Sequence, residues 1–140
     1  MLKSRRILYS ILALGTSPLH AATEAQIQLT VEGTRVPMMC GKFFVGMSTG
    51  ASLTQAQSSK LQEYANQLIV NAGDVAANKL GPLDQQTTRE LAERLHTYGE
   101  SEYRKVMDSI QSIQDPKARN EKITQVADAC MGVLKKIGNR

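Results

Sequence analysis

Cys40 and Cys130 are the two cysteines of this 140-residue chain, and they are the first residues to which chemistry would be assigned. Their wide separation excludes a CxxC redox motif, and neither has a histidine nearby in sequence. Only one intramolecular pairing is open to them; a pair of free thiols or an intermolecular bridge are the alternatives. In the chain-entropy model, closing a loop of about 90 residues stabilises a fold by about 4–5 kcal/mol. We expect a structural Cys40–Cys130 disulfide.

The remaining candidates point away from catalysis. His96 stands alone between Leu95 and Thr97, whereas a zinc site needs three or four nitrogen, sulfur or carboxylate ligands. The pairs Glu90/Glu93 and Glu100/Glu102 could suggest acid–base work, but Arg89, Arg94, Arg104 and Lys105 surround them. Glu90 with Arg94 and Glu100 with Arg104 have the i,i+4 spacing of ion pairs on a solvated helix face. Haem-attachment, phosphate-loop and nucleophile-elbow patterns are absent from the sequence. The expectation is a protein with no catalytic residue, no metal and no cofactor.

Binding is the other chemistry on offer. Val36, Cys40, Phe43, Phe44 and Met47 recur at helical spacing, while Met38, Met39 and Val45 fall on other faces of the same segment. A short helix apolar almost all round is buried on several sides. Alternatively, Met38, Met39 and Val45 form an exposed patch that grips a protein partner, since methionine adapts to irregular surfaces. Burial along residues 36–50 separates the two.

The elements that position these residues begin with a targeting segment. Residues 1–22 carry Lys3, Arg5 and Arg6, then the apolar run Ile7–Leu14, then a stretch ending in Ala21 and Ala22. This is the pattern of a secretory signal peptide cut after Ala21 or Ala22. As a helix the run is roughly 12 Å long, too short for a bilayer core of about 30 Å. Its removal leaves 14 of the 17 basic residues against 13 acidic ones, a net charge of +1. So small a charge, with both signs alternating along the chain, disfavours nucleic acid and anionic membranes as partners. With the first cysteine at Cys40, no lipid-bearing residue follows the apolar run, so no membrane anchor is expected after cleavage. Aromatics at 4%, with no tryptophan, speak against base-stacking or sugar-binding platforms.

In residues 23–35, Ile27, Leu29 and Val31 alternate with polar residues. Period two predicts a short strand or an extended arm lying over a helical body. Residues 36–140 read as a single helical domain. Pro37 suits a first helical residue, and Gly50 can end that helix. Thr54 with Gln57, or Ser52 with Gln55, can form a capping box for a long helix whose stripe runs from Leu61 to Leu80. Leu80-Gly81-Pro82 is its stop signal. A third helix begins after Asp84; its stripes Leu91–Leu95–Tyr98 and Tyr103–Val106–Ile110–Ile113 are out of register. That mismatch predicts a kink or a break at Gly99. Asp115-Pro116 opens the last helix, whose buried face Ile123, Val126, Ala127, Cys130, Val133, Leu134, Ile137 holds one of the cysteines.

The fold expected is all-α: an antiparallel bundle of four or five helices, preceded by a signal peptide and an extended arm, and stapled by one disulfide. Its location is periplasmic in a bacterium and otherwise secreted. Three functions compete: interaction with an unidentified protein partner as an inhibitor, immunity protein or assembly factor; a chaperone exposing apolar helix faces under stress; and a carrier of an apolar small molecule.

Overall fold

A computed structural model describes residues 22–138; the leader expected over residues 1–22 lies, but for Ala22, outside that range. The described residues form five helices and no strand: α1 (Glu24–Gly33), α2 (Arg35–Ser48), α3 (Gln55–Leu80), α4 (Gln85–Gln111) and α5 (Pro116–Gly138). The all-α bundle with one disulfide is the architecture of the molecule.

Local chemistry explains most boundaries. Thr54 caps α3 through a reciprocal box with Gln57, in which the Gln57 amide donates to Thr54 Oγ1 at 3.1 Å and the Thr54 amide donates to Gln57 Oε1 at 2.9 Å. Gly81 ends α3 at φ 77°, a left-handed backbone that favours glycine. Asp84 accepts the Thr87 amide at 2.7 Å to start α4, and Asp115 accepts the Ala118 amide at 3.1 Å to start α5. Helix α2 begins two residues before Pro37, which still lies in the first turn, where amides lack helical partners.

The extended arm expected over residues 23–35 is instead helix α1 and the start of α2. Thr23 and Gln26 form a capping box as complete as the one on α3, with the Thr23 amide donating to Gln26 Oε1 at 2.9 Å. Ile27 and Val31, four residues apart, share the face that packs on the body, and Leu29 points outward, 69% exposed. Three apolar residues at period two therefore contain an i,i+4 pair, and that pair finds a surface to cover. Residues 24–35 thus belong to the helical body.

Helix α2 is the centre of the bundle. It contacts each of the other four helices, while α3 and α4, the two arms of a hairpin, touch one another little. The core has two parts along that hairpin. Near the α3–α4 turn, Ile27, Val31, Met38, Ala72, Ala76, Leu91 and Leu95 pack together. At the open end, Cys40, Phe43, Phe44, Ala65, Leu68, Cys130 and Leu134 form the second cluster.

Helix α4 runs unbroken through Gly99. A side chain on Gly99 would sit 3.1 Å from Met38 Cβ and 3.4 Å from the Met38 carbonyl oxygen, so the glycine lets α2 and α4 approach closely. Gly41 plays the same part against Ile69 and Ala65 of α3. The register change vanishes once the buried residues are taken in order: Leu91, Leu95, Gly99, Glu102 and Ile110, with half-buried Val106 between the last two, follow one stripe.

Candidate functional site

The cysteines come together as their positions on α2 and α5 require. Cys40 and Cys130 are bonded with Cα atoms 5.3 Å apart, and neither is more than 1% exposed. Phe44 packs beside them, tilted against Phe43 and Tyr64 with ring centroids 6.2 and 5.8 Å away. Such offset and edge arrangements favour the aromatic quadrupoles. The sulfurs are part of the packing, and the bond fastens the last helix to the central one.

The Met38, Met39 and Val45 patch does not form. Met38 is 1% exposed, held under Gly99 in the first cluster. Met39 is half-buried against the second cluster, and only Val45 is exposed. The central helix contacts all four neighbours, so most of its apolar residues pack inward. Among the described residues the large exposed apolar ones are Leu29, Val36, Val45 and Val70, spread over α1, α2 and α3.

Glu102 departs from its expected place. Instead of lying on a solvated face it is buried, accepting from Arg35 Nε at 2.8 Å and Lys105 Nζ at 2.8 Å. Arg35 opens α2 and Lys105 lies one turn along α4, so the carboxylate ties two helices. The bond from Lys105, aided by Arg35, holds the Glu102 carboxyl below its ordinary range despite the opposing cost of lost hydration. The signal available in the sequence is position: Glu102 occupies a core slot of the α4 stripe.

The expected Glu100–Arg104 pair is present at 3.5 Å, whereas Arg94 turns from Glu90 to Glu24 on α1, at 2.6 Å. Arg94 lowers the Glu24 carboxyl and is itself raised by the same bond. This exposed pair is the polar tie between α1 and α4. His96 lies on the outer face of α4, where Lys42 Nζ donates to its Nδ1 at 3.0 Å. Reduced hydration, then the Lys42 charge, push His96 below its ordinary value. Among the described residues no group of three His, Cys, Asp or Glu side chains could hold a metal, and no helix is long and apolar enough to cross a membrane.

The concave surfaces are shallow. One, of about 690 Å³, lies between α1 and α4 around the Glu24–Arg94 pair, and another of about 620 Å³ lies around Lys42 and His96. Both mix charges of either sign. An apolar depression of about 240 Å³ lies where Pro37, Val75, Val133 and Ile137 meet, and opens to solvent. Small-molecule sites usually enclose about 300 Å³ or more.

The chain matches no protein-family model, no curated protein and no solved structure.

Proposed function

We propose that this is an exported protein that works by binding another protein, without a catalytic centre or cofactor. The observation that carries this reading is the buried Cys40–Cys130 bond within a closed helical core. Its two sulfurs pair in an oxidising compartment, to which the pattern of residues 1–22 would deliver the chain. A staple of this kind keeps a small bundle rigid, and a rigid surface loses little entropy when a partner docks. Shallow, mixed-charge depressions and separate apolar residues such as Leu29 and Val70 suit a protein contact better than an enclosed ligand.

The test is capture of partners from periplasmic extract, or from secreted fluid for a eukaryotic host, with the oxidised protein as bait. A single partner retained at moderate salt and lost on Leu29→Asp or Val70→Asp supports the proposal. Repeated recovery of no partner above control resin removes it.

One observation favours a second reading, a chaperone that exposes apolar faces under acid stress. Helix α1 covers Leu91, Leu95, Ala72 and Ala76, and its polar tie to α4 is a carboxylate. Its release would uncover that apolar surface. Dye binding and suppression of client aggregation on acidification support this reading; a bundle that stays closed and inert eliminates it.

A further inference from the structure

We infer that a signal peptidase cleaves the Ala21–Ala22 bond, so that the folded protein begins at Ala22. This inference rests on the export reading above and goes beyond it by choosing one bond. The leader pattern leaves two candidates, because both Ala21 and Ala22 are small residues of the kind such a peptidase accepts before the cut.

The structure distinguishes the products. Ala22 is half-buried and packs on the first core cluster. Thr23 is the cap of α1, and its backbone N–H is one half of the capping box, donating to Gln26 Oε1 at 2.9 Å while Thr23 Oγ1 accepts from Gln26 N at 3.2 Å. Hydrolysis after Ala21 adds water across that amide, leaving a carboxylate on Ala21 and an ammonium on Ala22. The Thr23 amide and the Ala22 contact are then intact. Hydrolysis after Ala22 would remove the contact and turn the Thr23 nitrogen into an ammonium. That places a positive charge on the residue that caps the positive end of the helix dipole. The flanking residues agree. The small-x-small preference puts a compact uncharged residue three positions back. Neither bond has one, but a cut after Ala21 places apolar Leu19 there, and a cut after Ala22 places the imidazole of His20.

The full chain, expressed with its own leader in an exporting bacterium and recovered from the periplasm, is read by intact mass and N-terminal sequencing. The expected product starts at Ala22 and is lighter by two hydrogens than its reduced form. A product starting at Thr23, one alanine residue lighter, overturns this inference and leaves the export reading standing. An uncleaved chain retained in the cytoplasm overturns both. Ala21→Tyr, which alters only the discarded segment, is expected to abolish formation of the Ala22 product. Unchanged cleavage in that variant overturns the assignment.

Discussion

The two halves of the core are held in different ways. Around Cys40 and Cys130 the packing contains both phenylalanines and a covalent bond, with Met39, Met47, Met107 and Met131 filling the margins. Around Met38 it is built from alanines, leucines and the two buried residues of α1, Ile27 and Val31, and no disulfide crosses it. Methionine side chains bend into irregular gaps, so the stapled half tolerates imperfect complementarity. The other half depends on backbones that approach closely at Gly99, and on a short helix tied by one exposed ion pair. Local opening starts where buried apolar contact is least. On that basis α1 is the element that leaves first and α5 the one that the staple retains.

The largest expected effect comes from removing the staple. Cys40→Ala with Cys130→Ala should lower stability by about 3–5 kcal/mol. Thermal unfolding in the presence and absence of reductant measures it, and the difference between the halves predicts that α5 amides lose more hydrogen-exchange protection than α1 amides. Equal loss in both would show that the halves are one cooperative unit. Next in size, Met38→Ala should cost about 2–4 kcal/mol by leaving a void under Gly99. Denaturant titration reads the total, and exchange should place the loss at α1 and the start of α4.

Gly99→Leu should cost about 1–3 kcal/mol, because the new side chain meets backbone and Cβ atoms of Met38 that cannot swing aside. The opposite sign is expected at Gly73 and Gly132, where a methyl group would meet nothing within 4 Å. Alanine there should stabilise α3 and α5 by about 0.5–1 kcal/mol through helix propensity alone. A destabilising Gly73→Ala would mean that α3 is packed more closely than its open surface indicates.

Acid should act on the weaker half first. Glu24 and Glu102 both have carboxyls lowered in the folded state, so the stability they contribute is present at pH above the ordinary carboxylate range near 4.5 and is lost as pH falls through the lowered values. Glu24→Gln should therefore flatten the acid side of the pH–stability curve slightly, and with it the acid-dependent exchange of α1 amides. The effect is small because the pair is exposed and screened by solvent. An unchanged acid profile would show that Glu24 contributes nothing to holding α1.

Much of this molecule is legible in its residues. The box at Thr54, the aspartate caps at Asp84 and Asp115 and the stop at Gly81 are local devices, set by side chains a few residues away. The α3 stripe and the place of Cys130 on α5 follow from helical periodicity, and the bridge from the count of cysteines. Three features depart from that local logic. In residues 24–33, Ile27, Leu29 and Val31 alternate as an extended arm would, yet a face four residues apart is equally present, and the groove between α3 and α4 selects it. Gly99 resembles a fault in α4, and Glu102 a surface charge, because neither residue type belongs to an apolar stripe. Both lie on the buried face. Met38, Met39 and Val45 make no joint patch for a related reason, since an all-round apolar helix has little free surface once four others surround it.

What the chain determined by itself was where α3, α4 and α5 start, where α3 stops, and which stripes α3 and α5 turn inward, because capping and periodicity act over three or four residues. Which helix became the centre, where a glycine or a carboxylate replaces an aliphatic side chain in the core, and whether α1 curls or extends were decided only in the assembled bundle. Those outcomes depend on how closely two backbones approach and on which opposite charge waits across the gap, and neither distance is written in any local stretch of residues.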